Sequence, residues 1–150
     1  MNKDYKTIIQ TLPYLLDGIT NNISILANTS ALLKEYMEGA SWVGFYMFED
    51  GKLILGPFQG KVACSVIDIN RGVCGECYRK KETVIVKNVH LHPDHIACDA
   101  GSNSELVVPL IKKDVVIGVL DIDSYNIGEF DEEDKINLIK IVDILLQHLN

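Results

Sequence analysis

The stretch "ELVVPLIKKDVVIGVLDIDS", Glu105 to Ser124, decides the fold. Two runs of valine, leucine and isoleucine flank the polar turn "KKD", which is the signature of a β-hairpin. Residues two apart on a strand share a face, so Asp121 and Asp123 project together while Ile122 projects to the opposite side. Glu105 opens the partner strand, and this arrangement lets three carboxylates converge at one end of the sheet. The ordinary fate of strand acids is a solvent-facing edge. Carboxylates that do converge push at least one pKa upward, which yields a neutral acid able to give a proton near pH 7.

Working outward from the hairpin, "SWVGFYMF" (41–48) is rich in aromatic and β-branched residues and ends at "EDGK", a turn that joins antiparallel strands. "LILGPF" reads as the returning strand. "ACSVIDI" (63–69) and "TVIV" add two β segments, separated by a short helix from about Val73 to Lys80 that Gly72 introduces. Between Lys87 and Ser104 no hydrophobic period is sustained. A loop of that length tends to hold a site.

At the amino end, Ile8, Ile9, Leu12, Leu15 and Leu16, then Ile23, Ile25, Leu26, Leu32 and Leu33, recur at helical spacing on either side of the turn "DGITNN". Pro13 should start or bend the first of these two helices. At the carboxyl end Asp131 caps a helix with an acidic first turn, and Ile136, Ile139, Val142, Leu145, Leu146 and Leu149 form its expected apolar stripe. The expectation is one α+β domain over residues 1–150: an antiparallel sheet of about six strands flanked by N- and C-terminal helices that cover one sheet face.

Composition narrows the function classes. Of the 150 residues 47% are apolar and 23% charged, ordinary for a globular protein. The net charge of −7, with scattered lysines and arginines, argues against nucleic acid as a partner. No apolar run approaches the ~20 residues that span a bilayer, and Asp4 and Lys6 interrupt any leader-like segment. A cytoplasmic protein without a membrane partner is expected. In that compartment cysteines stay reduced, and the four here are candidates for catalysis, metal binding or burial.

Cys74 and Cys77 are the one close pair, so a four-cysteine zinc site lacks its second pair. His90, His92 and His95 fit no common ligand spacing, and neither a metal nor a bound cofactor is expected. A thioredoxin-like C-x-x-C needs a βαβ frame that is missing, and Cys77 reads as a small apolar core residue. Cys98 differs, with His95 three residues before it and Asp99 beside it. A loop thiol near an imidazole can be held partly as thiolate, although an exposed, inert cysteine is the plain alternative.

Taken together, "WVGFYMF", "LGPFQGKVACSVIDINRGVCG", "NVHLHPDHIACDAGSNSELVVPL" and "GVLDIDS" resemble the free methionine-(R)-sulfoxide reductases, enzymes built on a GAF domain. The resemblance runs from about Trp42 to Phe130. It implies a reaction on free methionine-R-sulfoxide in which Cys98 is the attacking thiol and Cys64 its resolving partner, with Cys74 an alternative in either role. It further implies Glu105, Asp121 and Asp123 as the substrate-site carboxylates, Asp123 also catalytic, and Trp42 and Tyr46 as an aromatic wall. Thioredoxin as external reductant and a homodimer belong to the same implication. Two other readings stand beside it: a GAF-type sensory module that binds a small molecule without transforming it, and a C-x-x-C oxidoreductase that depends on Cys77.

Overall fold

A computed structural model describes residues 2–94 and 101–150. The chain begins with two helices, α1 (Tyr5–Leu16) and α2 (Asn22–Tyr36), each capped by its own side chain: Asp4 accepts from the Thr7 backbone N–H, and Asn21 from those of Ile23 and Ser24. Pro13 neither starts nor ends α1 but lies inside it. Then come β1 (Trp42–Glu49), β2 (Lys52–Gln59), β3 (Val66–Asp68), α3 (Gly72–Lys80), β4 (Val84–Val86), a single 3-10 turn at Val89–Leu91, β5 (Ser104–Lys112), β6 (Val115–Ser124) and α4 (Glu132–His148).

The six strands form one antiparallel sheet in the order β3-β2-β1-β6-β5-β4. Both hairpin turns are tight. Asp50 and Gly51 between β1 and β2, and Lys113 and Asp114 between β5 and β6, all take positive φ, the left-handed geometry that matches the twist of the strands they join.

Alternation along the strands divides the molecule into two apolar clusters. Val43 and Phe45 of β1, Leu106, Val108 and Leu110 of β5, and Leu120 and Ile122 of β6 pack against α1, α2 and α4. Trp42 and Tyr46 of β1, Val107 of β5 and Val119 of β6 face the other way and meet Val73, Cys74 and Cys77 of α3. The expectation of helices on one face is therefore corrected in part. The terminal helices cover one face, and the short α3 covers a portion of the other.

A second correction concerns α4. Its inward positions are Leu138, Ile141, Val142 and Leu145, whereas Ile136 and Ile139 are 55% and 37% exposed. The helix start agrees with the sequence and is reinforced from afar. Asp131 and Asp134 exchange side-chain-to-backbone bonds in a capping box, while Lys3 Nζ and Tyr5 Oη donate to the Asp134 carboxylate at 2.9 and 2.6 Å.

Candidate functional site

The face covered by α3 carries the polar cluster. Register places Trp42 opposite Asp123 and Gly44 opposite Asp121, while on the other side of β6 Glu105 pairs with Asp123 and Val107 with Asp121. Because each side chain follows the pleat, Glu105, Asp121 and Asp123 gather beside Trp42 and Tyr46 at one end of the central strands. Glu105 and Asp121 are only 8% and 5% exposed, and Asp123 is half-buried at the rim.

Burial, and then the charges of Asp121 and Asp123, push the Glu105 carboxyl well above its usual range. Hydrogen bonds to both aspartates add to that rise. Asp121 is raised by burial against the opposing pull of its hydrogen bonds with Glu105 and Cys74. Its Oδ1 is buried without a hydrogen-bond partner. A buried acceptor left unmade is costly, and a donor brought by a ligand would satisfy it.

Cys74 approaches this cluster from α3. Its sulfur and one oxygen each of Glu105 and Asp121 lie within 4.8 Å of one another, the group among the described residues close enough to share a metal ion. Burial first, then the neighbouring carboxylates, push the Cys74 thiol well above its ordinary value. Cys77 is raised for the same primary reason and points inward, its Sγ 3.6 Å from the Val107 carbonyl. Both thiols are free.

The aromatic wall is tighter than two residues. Trp42 stacks on Tyr46 and on Phe58, with ring centroids 6.0 and 5.2 Å apart. The indole Nε1 donates to the Lys61 carbonyl at 3.0 Å, and Tyr46 Oη to the Cys64 carbonyl at 2.9 Å. Those two bonds pin the segment between β2 and β3, so half-buried Cys64 packs against the same apolar cluster. The indole needs Gly44 and Gly60 beneath it, since a Cβ at either would come within about 2.5 Å of the ring. Phe58 and these glycines were not read as site residues from sequence. A glycine inside the "WVGFYMF" strand was the available signal, because mid-strand glycine marks a close approach.

Of the residues expected at the site, Trp42, Tyr46, Cys64, Cys74, Glu105, Asp121 and Asp123 all lie on this face or against it. Cys98, with His95 and Asp99, lies outside the described residues. His90 and His92 are directed elsewhere: His90 Nε2 contacts Asn103 Oδ1 at 2.8 Å, and His92 Nε2 contacts Glu76 Oε1 at 3.3 Å.

Comparison with known proteins agrees with this geometry. The GAF domain family matches residues 24–144. The chain is 47% identical over 144 residues to the free methionine-R-sulfoxide reductase of Escherichia coli (strain K12), covering 95% of this chain and 87% of the relative. It is 44% identical over 139 residues to the protein of that name from Saccharomyces cerevisiae, covering 87% and 77%. Among solved structures, fRMsr of Staphylococcus aureus in complex with substrate superposes with a TM-score of 0.95 at 43% identity, covering 100% of this chain and 98% of the other. Free methionine-R-sulfoxide reductase of Neisseria meningitidis in complex with its substrate gives 0.93 at 43%, covering 96% and 87%. This chain belongs to the free methionine-R-sulfoxide reductases, a family built on the GAF domain.

Proposed function

We propose that this protein reduces free methionine-R-sulfoxide to methionine, with Cys98 as nucleophile. The observation that carries the proposal is the buried Glu105–Asp121–Asp123 cluster beside an aromatic wall, in a chain of this family. The substrate presents an ammonium, a polarised sulfoxide and an S-methyl group. Asp121, with its unpartnered Oδ1, suits the ammonium. Trp42 and Tyr46 suit the S-methyl group.

Chemistry at sulfur needs a thiolate and a proton donor. The thiolate attacks the sulfoxide sulfur, forming an S–S bond as the oxygen is protonated and leaves as water; a water then attacks the cysteine sulfur, breaking that bond, so that the cysteine ends as a sulfenic acid and methionine departs. Glu105 holds the proton that this requires, because its burial and acidic neighbours favour the neutral form. Asp123, at the rim and hydrogen-bonded to Glu105, passes that proton to the sulfoxide oxygen. The same environment argues against Cys74 as the attacking thiol, since a carboxylate-flanked buried thiol resists ionisation.

A second thiol then condenses with the sulfenic acid, releasing water and forming a disulfide. We assign this step to Cys64, whose position against the aromatic cluster is fixed by Tyr46, with Cys74 as the alternative. Thioredoxin, an external dithiol of the cytoplasm, returns both cysteines to thiols by exchange. The working unit in this proposal is a homodimer, which light scattering checks. No described helix is long and apolar enough to cross a membrane.

The deciding experiment is a coupled thioredoxin/NADPH assay on the separated R and S epimers of free methionine sulfoxide. Turnover of the R epimer, abolished by Cys98→Ser and retained by Cys77→Ser, is expected. No turnover of either epimer would remove the proposal.

A further inference from the structure

Cys74, Glu105 and Asp121 meet from three elements, and all three are buried. The two acids sit on neighbouring strands. Glu105 pairs with Asp123 and Val107 with Asp121, so Glu105 and Asp121 are diagonal neighbours on one face of the β5–β6 ladder. Cys74 reaches them from the first turn of α3, which Val73 and Cys77 anchor in the same apolar cluster. One sulfur and one oxygen from each acid therefore lie within 4.8 Å of one another, on supports that packing already fixes. Cysteine spacing shows no such site, because two of its three ligands are carboxylates brought together by strand pairing.

Two observations ask for a cation. Asp121 is 5% exposed and its Oδ1 has no hydrogen-bond partner, so a buried acceptor of this cluster is unsatisfied. Among the described residues, moreover, no lysine, arginine or histidine forms an ion pair with Glu105 or Asp121. Acids taken out of water are normally paired or bound to a metal. The donor set selects the ion. Mg²⁺ and Ca²⁺ favour six or more oxygens, whereas Zn²⁺ accepts thiolate and carboxylate together at about 2.3 and 2.0–2.2 Å in a four-coordinate site. Ligand atoms at those lengths stand about 3.5 Å apart, so the cluster has to contract by about 1.3 Å at most. Three protein ligands leave a fourth position for water.

We propose that Cys74, Glu105 and Asp121 form an inhibitory site for a thiophilic divalent cation of the zinc class. Bound there, the ion takes Asp121 from the substrate ammonium and Glu105 from proton donation, so ion and sulfoxide exclude each other. The binding half of this inference stands without the enzymatic reading; the inhibitory half rests on it.

The test is an anaerobic titration of the reduced full chain with Zn²⁺, in a Cys64→Ser/Cys98→Ser background that leaves Cys74 and Cys77 as the thiols. Calorimetry should show one saturable equivalent, and Cd²⁺ in its place should bring out thiolate-to-metal charge-transfer absorbance. Cys74→Ser should abolish that absorbance and weaken Zn²⁺ binding by about 100-fold or more, since groups that merely orient a ligand are already worth about 10- to 100-fold. Cys77→Ser should leave both signals unchanged, because that sulfur faces the Val107 carbonyl. Absence of a saturable equivalent, full affinity in Cys74→Ser, or an equal loss in Cys77→Ser would each overturn the site. If Cys74→Ser does not fold, Asp121→Asn decides: a comparable loss of affinity supports the site, and full affinity overturns it. Free methionine-R-sulfoxide, added to this background without the proposed nucleophile, should lower the apparent Zn²⁺ affinity. Unchanged affinity beside a wild type that turns the sulfoxide over would overturn the inhibitory role. An inert wild type marks failure of the enzymatic reading instead, and the titration still reads the site.

Discussion

The two faces of the central strands are built from alternate residues of the same strands, yet they do opposite work. On β1, Val43 and Phe45 are buried among aliphatic side chains of α1, α2 and α4, while Trp42 and Tyr46, one position away, border three acids and a thiol. On β6, Ile122 belongs to the first set and Asp121 and Asp123 to the second. The helical face gathers aliphatic and aromatic side chains, and its buried carboxylate, Asp134, is paired with Tyr5 and Lys3. The α3 face holds Glu105 and Asp121 nearly out of water and leaves Asp121 Oδ1 unpaired. The contrast teaches that the packing of one face offsets what burying the acids of the other costs, since buried polar groups are disfavoured unless the rest of the fold compensates.

Substitutions that differ only in parity test this division. Phe45→Ala, on the helical face, should cost about 3–5 kcal/mol of unfolding free energy, because a fully buried aromatic ring leaves a cavity. Urea titration reads the shift. Activity per folded molecule should change little, and a large loss of kcat at low denaturant would break the division. Glu105→Gln, on the other face, should reverse the pattern. It removes a buried acid whose ionised form is disfavoured, so stability should hold or rise, while kcat/KM falls by roughly 100- to 1,000-fold through loss of the proton source.

The same residue gives a pH signature with a definite sign. In the folded protein Glu105 binds its proton more tightly than at its ordinary value of 4.5, so above that value the native state holds more protons than the unfolded chain. Stability then decreases as pH rises from about 4.5 through the elevated native pKa. Compared with Glu105→Gln across that window, wild type should lose ground steadily, and parallel curves would contradict the assignment. Activity should carry an alkaline limb from the same ionisation, absent in the Gln variant.

Much of this was legible in the sequence for a physical reason: alternation is a local signal. The hairpin 105–124 and the strand beginning at Trp42 announce their faces through spacing alone, and so the convergence of Glu105, Asp121 and Asp123 followed from reading three positions. What depends on distant partners was not legible. The placement of α3 on the second face is set by Cys74, Cys77 and Val73 finding Val107 and Val119, and nothing local in "GVCGECYRK" specifies a side. The cap that Asp94 gives to α3 spans 22 residues and has no motif. β3 shrank to Val66–Asp68 because it lies at the sheet's edge and pairs only with Lys52–Ile54.

The apolar stripe of α4 shows how periodicity misleads when a helix has more apolar residues than its groove can receive. Of Ile136, Ile139, Val142, Leu145, Leu146 and Leu149, all at helical spacing, the last four meet the core, while Ile136 and Ile139 give way to Leu138 and Ile141, which join Val142 and Leu145 against α1, α2 and β5. A window over isoleucine and leucine cannot rank two such overlapping sets of positions. The capping box and the Lys3 and Tyr5 contacts to Asp134 choose between them, because they fix the helix's rotation at its first turn. Ile136→Lys should therefore shift unfolding free energy by no more than about 0.5 kcal/mol, the range of exposed positions. Ile141→Lys, five residues on and fully buried, should prevent folding. Equal effects at the two positions, read by thermal melts, would mean that α4 turns its other stripe inward and that the Asp134 contacts do not set its phase.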